Sequence, residues 1–296
     1  MMRQQSQQGF TLVEMIMVIV ITGIIGGMVA VFLKAPIQQY MDVARRADMT
    51  DIADTALRRI GRDLRLALPN SVSVTISGGA RGAGGCTGNN ICFIEFLPTT
   101  GGGRYRAEFA STAPLGNILD FTSAADNSFD VLGSPVAANA GNFLVIYNLG
   151  ISSATGCASL GANAYEGCNR RTIVSGGATM AFTTTALPFP FDSPSHRFQV
   201  ITTPVTYVCS PAANGVGGTL TRYWGYAIQS AQPSTVATLN TLVTPALLAN
   251  NVSSCSFAYD AFVMAQRSGL VTMNLGITES GETVTLYSAA HVSNMP

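Results

Sequence analysis

Charge is scarce in this chain. Of its 296 residues only 11% are charged, with 16 acidic against 16 basic, well under the roughly 25% of an ordinary soluble protein. No basic excess or stripe is left to give a nucleic acid its electrostatic footprint, so nucleic acid is excluded as the expected partner. Histidine is rarer still: His196 and His291 stand far from any cysteine pair, and no C-x-x-C occurs, so a metal centre lacks its usual ligand spacing. No G-x-S-x-G elbow supports a serine nucleophile. A Ser/His/Asp set drawn through Ser193, Ser195 and His196 therefore reads as ordinary loop residues, and no enzyme activity or cofactor is expected. Asp120, Asp126, Asn127 and Asp130 lack the spacing of an EF-hand loop and read as solvated loop carboxylates. No internal repeat of fixed period is found.

Small residues are plentiful. Thirty glycines and many Ser, Thr and Ala suit an exported, loop-rich β domain rather than a cytosolic helical enzyme. The six cysteines, Cys86, Cys92, Cys157, Cys168, Cys209 and Cys255, are an even set, which in an exported chain reads as disulfides. Sequence proximity suggests Cys86 with Cys92 and Cys157 with Cys168 as local staples, leaving Cys209 and Cys255 as a long-range tie. Six cysteines admit many other pairings, and a metal site or free thiols is the alternative.

The one long hydrophobic run lies near the N-terminus. Residues 1–9 are short and polar with a single basic residue, Arg3. An apolar stretch follows from Phe10 to Leu33, uncharged throughout 15–33 and closed by Lys34. As a helix the uncharged part is about 28 Å long, close to the roughly 30 Å hydrocarbon core of a bilayer. A secretory signal peptide or a plain anchor would account for the run, but neither explains Glu14, since a carboxylate in a membrane helix is costly and usually functional. Arg3 and the amino terminus favour a cytoplasmic N-terminus.

Gly9-Phe10-Thr11-Leu12-Val13-Glu14, in register with the apolar helix, resembles the prepilin peptidase signature of the type IV pilin-like superfamily. The resemblance implies cleavage between Gly9 and Phe10, on the cytoplasmic side, and N-methylation of the new Phe10 amine. It also implies an assembly role for Glu14, whose carboxylate needs a partner in lipid; the Phe10 amine of a neighbouring subunit supplies one. The implied partners are the prepilin peptidase, other minor pilins, a major pilin and an inner-membrane assembly platform. The implied location is a single pass through the inner membrane with the C-terminal domain periplasmic, then the fibre or its tip.

Beyond the membrane the helical pattern continues to Leu68, with Pro36 as an expected kink. Met49, Ile52, Ala53, Ala56, Leu57, Ile60, Leu64 and Leu68 recur at spacings of three and four, an apolar stripe on an amphipathic helix. Asp54 and Arg58 form an i, i+4 pair of favourable polarity. From 69 onward β-rich runs alternate with Gly, Ser, Asn and Pro breakers. Strands are expected at 72–76, 91–97, 104–109, 143–147, 198–208, 220–228, 252–259, 270–277 and 283–288, a short helix at 238–248, and flexible loops at 78–85 and 101–103. Three segments result: a leader, 1–9; a helix, 10–68, whose 10–33 part spans the membrane; and a β-rich domain, 69–296. The expected class is α+β, a pilin-like long N-terminal helix packed on an antiparallel sheet.

Leu57-Arg58-Arg59-Ile60-Gly61-Arg62-Asp63-Leu64-Arg65 and His291-Val292-Ser293-Asn294-Met295-Pro296 resemble a minor-pilin family of the mannose-sensitive haemagglutinin pilus system. That family is similar to the J-type minor pseudopilins of type II secretion. The resemblance implies a subunit acting in initiation or at the tip of a fibre. A secretion pseudopilin, a tip adhesin and an exported enzyme on an anchor are the rivals.

Overall fold

The structure, a computed structural model, describes residues 9–82, 84–153, 157, 161–263 and 268–296. The leader 1–8 with Arg3 lies outside the described residues. The chain divides into two compact units, 1–48 and 49–296, and helix α1 (Leu12–Leu64) runs through the boundary. The class is α+β: a long N-terminal helix followed by antiparallel sheets.

In the first unit the helix carries no core. Its side chains from Leu12 to Leu33 are exposed all round, and a helix apolar on every side is made to be buried by other molecules or by lipid. Pro36 lies inside α1, which continues through it as one element.

In the second unit the helix becomes amphipathic and its stripe goes inside. Met49, Ala53, Ala56, Leu57, Ile60 and Leu64 are buried in one cluster with residues of two sheets. The helix stops at Leu64, four residues short of the expected end. Two tight turns follow, and the Leu68 amide donates to Leu97 O at 2.7 Å, so the backbone that would have extended the helix bonds instead to the strand beside it. Asp54 and Arg58 pair at 2.7 Å on the exposed face. Asp63 turns inward: it accepts from Tyr207 Oη at 2.7 Å and Arg222 Nε at 3.0 Å, fastening the last helical turn to the sheet.

The first sheet joins β1 (Ser73–Ile76), β3 (Cys92–Phe96), β10 (Val205–Ser210), β11 (Thr219–Trp224) and β12 (Ala246–Asn250), in that order. The second joins β15 (Glu282–Ser293), β14 (Ser268–Glu279), β13 (Val252–Val263) and the two-residue β2 (Gly85–Cys86). In β14 buried and half-buried residues alternate, the mark of a strand with one face on the core. The bend at Thr202 and Thr203, before Pro204, divides the single strand expected over 198–208 into two; proline lacks the N–H that a ladder needs. The expected helix at 238–248 is shorter: α2 (Val236–Leu242) is capped by Thr235 Oγ1 on the Thr238 amide. Pro245 disfavours helix in the residue before it, and 246–250 pairs with β11 instead.

Between β3 and β10, neighbours in the first sheet, the chain inserts six further strands. Six strands close a barrel in the order β4 (Thr99–Tyr105), β5 (Ser128–Leu132), β8 (Thr179–Phe182), β7 (Arg170–Ser175), β6 (Phe143–Ile146) and β9 (Arg197–Ile201). Closure leaves no unpaired edge. Its centre is aromatic: Phe129 meets Phe198 at 5.2 Å between ring centroids and Tyr105 at 5.9 Å. Residues 101–103, expected as a flexible loop, lie within β4. Glycine is needed there for close approach, because a Cβ on Gly102 would stand 2.7 Å from the backbone oxygen of Phe198.

All three disulfides of the expected pairing form: Cys86 with Cys92, Cys157 with Cys168, and Cys209 with Cys255. The first joins β2 to β3 and the third joins β10 to β13, so both stitch one sheet to the other beneath the helix.

Candidate functional site

The start of α1 is built by a reciprocal cap. Thr11 Oγ1 accepts from the Glu14 amide at 3.3 Å, while Glu14 Oε2 accepts from the Thr11 amide at 3.3 Å and from its hydroxyl at 3.2 Å. This is a capping box, in which two otherwise orphaned backbone donors are satisfied by each other's side chains. It fixes the first helical turn directly after Gly9 and Phe10. Among the described residues nothing covers the bond between them: Phe10 is 86% exposed, and no atom lies within 4 Å of where a Cβ on Gly9 would stand.

Above the cap the helix is uniformly lipid-like. Thr22, the polar residue in the middle of the run, returns its hydroxyl to Val18 O at 2.6 Å, leaving no donor to be solvated by hydrocarbon. Among the described residues α1 is the one helix long and apolar enough to cross a membrane. Glu14 is the single carboxylate between Gly9 and Lys34.

The other residues singled out in the sequence are held in local hydrogen bonds and ion pairs. His196 Nδ1 lies 3.5 Å from Asp192 Oδ1, and the same carboxylate oxygen accepts from Tyr105 Oη. The hydroxyl of Ser193 accepts from the Arg197 amide at 3.2 Å. Asp120 accepts from the Thr122 hydroxyl and amide, Asp126 from the Asp120 amide and Asp130 from the Asn117 amide. These carboxylates close loops, and such hydrogen bonds hold Asp120 and Asp130 below the usual carboxylate range. No group of three or more metal-binding side chains occurs among the described residues. Trp224 is half-exposed with the Arg222 guanidinium 4.8 Å from its ring, while Tyr223 and Tyr226 are buried.

A buried polar cluster was not anticipated. Glu95, fully buried in β3, meets Arg81 Nη2 at 2.7 Å and accepts from Tyr226 Oη at 2.9 Å. The Arg81 guanidinium also covers the Tyr165 ring at 3.3 Å. The signal in the sequence was a lone carboxylate inside the apolar run Cys92-Phe93-Ile94-Glu95-Phe96; its partners come from segments far apart in the chain. Likewise Thr11-x-x-Glu14 has the spacing of a capping box, in the same glutamate that conflicts with the hydrocarbon around it.

The chain matches the family model for the prokaryotic N-terminal methylation motif over residues 4–30. The motif ends inside α1 and contains Gly9, Phe10 and Glu14 together. It supports a type IV pilin-like or pseudopilin subunit, and with it a single-pass anchor and processing by a prepilin peptidase. No curated protein and no solved structure matches the chain.

Proposed function

We propose that this chain is a minor pilin or pseudopilin, cut between Gly9 and Phe10, methylated on the Phe10 amine, and assembled through residues 10–33 into a type IV pilus-like fibre. It works by assembly rather than catalysis. The observation that carries this reading is the methylation motif running straight into a helix whose apolar side chains are exposed on every side. Packing such helices side by side removes that surface from lipid or water. Glu14 is the register element: its carboxylate, at the first turn, pairs with the Phe10 amine of the adjoining subunit and exchanges an internal cap for an intermolecular ion pair. The other partners are a major pilin, further minor pilins and the inner-membrane platform, with the 49–296 unit on the periplasmic side.

The particular role proposed is that of the MshO-like subunit of the mannose-sensitive haemagglutinin pilus, in initiation or at the tip. The segments 57–65 and 291–296 support it, and so does the barrel inserted at 99–201, which enlarges the subunit beyond the helix and the two sheets beneath it. The test is the Glu14→Ala variant in the native host, followed through membrane and sheared-fibre fractions. The expected result is normal processing and insertion with strong loss from the fibre fraction; incorporation equal to wild type would overturn the role given to Glu14. The J-type pseudopilin reading rests on the same two segments. Rescue of secretion rather than piliation in a deletion strain would select it.

A further inference from the structure

On the outer face of the barrel, Arg104 of β4 and Arg197 of β9 are directly opposed as Cα partners. Opposed residues of an antiparallel pair have Cβ atoms about 4.5–5.5 Å apart, and like charges so placed are unfavourable. Neither arginine has a carboxylate partner among the described residues, whereas Arg106, just beyond the same strand, pairs with Asp130. Both line an open groove of about 400 Å³ with Gly102, Gly103, Leu132 and Gln199. The glycines leave the floor without side chains. Leu132, the other cross-strand neighbour of Arg104, adds an exposed apolar wall. A repulsive pair in a chain with so few charges contributes nothing to folding that a neutral residue would not, so its use lies outside the barrel.

We propose that this groove docks an acidic, extended segment of a partner protein, a carboxylate of the segment bridging Arg104 and Arg197 and an apolar side chain resting on Leu132. Arginine presents a planar fork that fits carboxylates with two hydrogen bonds. The groove has no exposed ring for a base or a sugar face to stack on: its one aromatic, Phe198, is buried on the inner side. That separates a peptide from single-stranded nucleic acid, which relies on aromatic platforms, and from a glycan held by ring stacking. The inference rests on the barrel alone and stands whether or not the chain enters a fibre.

The test uses the full chain in non-ionic detergent and a fluorescein-labelled deca-glutamate peptide read by fluorescence anisotropy, with an oligogalacturonate of equal charge as competitor. The wild type should bind the peptide, more weakly as salt rises. Arg104→Gln/Arg197→Gln should bind it about tenfold more weakly or worse, the scale of a lost charge-assisted hydrogen bond. Arg62→Gln/Arg65→Gln removes the same charge elsewhere and should leave affinity unchanged. No binding by the wild type, equal losses in both variants, or preference for the oligogalacturonate would overturn the proposal. The melting temperature of Arg104→Gln/Arg197→Gln should equal or exceed that of the wild type; a fall of more than about 4 °C, over 1 kcal/mol for a domain of this size, would make the arginines structural and also overturn it.

Discussion

Glu95 shows what a single residue can reveal and conceal. A carboxylate in the middle of a strand buried at every position must find its partners inside, and it finds Arg81, Tyr226 and Thr206. Burial pushes its pKa above the ordinary 4.5, and the opposing attraction of Arg81 does not cancel that. A carboxyl that holds its proton more tightly when folded contributes stability that is complete below its unfolded value and is lost as pH rises through the folded one. The melting temperature of wild type minus that of Glu95→Gln should therefore fall as pH rises from about 4 upward; a difference that grows with pH would contradict the assignment. Arg81→Ala leaves the buried carboxylate with the Tyr226 and Thr206 hydroxyls but no countercharge, at a cost of about 3–5 kcal/mol in chemical denaturation. Glu14 was legible for a different reason: its conflict with the surrounding hydrocarbon is visible in one line of sequence. Arg81 lies before its partner across a glycine-rich stretch with no periodicity, so nothing local pointed to the pair.

Elements were legible where one force acted alone. The apolar stripe from Met49 to Leu64 repeats at helical spacing and is buried as that spacing requires. The strands β13 to β15 follow the two-residue alternation, and β14 turns into β15 at Ser280 and Gly281, both with positive φ. Elements were missed where tertiary pairing overrode local preference. Residues 246–250 are leucine- and alanine-rich but pair with β11, and β5, β7 and β8 are short strands that only barrel closure completes. The glycines at 101–103 have the composition of a loop and the packing of a strand; Gly102→Ala should cost about 1–3 kcal/mol, because the atom a Cβ meets is backbone and cannot rotate away. Disulfides act at this scale too. Cys209 and Cys255 are 46 residues apart against 6 for Cys86 and Cys92, so in the chain-entropy model they contribute about 4 against about 2 kcal/mol. Thermal unfolding of the two Cys→Ala pair variants should show the larger loss for the longer loop; the reverse order would mean that local strain outweighs loop closure.

At the scale of the molecule, the sequence makes its division of labour plain through charge. The run 15–33 has none, the helix beyond 42 has many, and the β domain has few. A long apolar helix leading into antiparallel sheets could be anticipated from that distribution and from strand periodicity. The barrel could not, because an insertion between two neighbouring strands leaves the sequence of both intact and announces itself only in how the strands close. The proposed processing of the N-terminus rests on the methylation motif, with a capped, exposed helix start directly after Gly9 and Phe10 beside it. The most direct test is the intact mass and N-terminal sequence of the protein extracted from membranes of its native host. The expected product is a chain beginning at N-methylated Phe10. A chain still beginning at Met1, or one beginning beyond Ala30, would contradict it and leave a plain anchor or a secreted domain in its place.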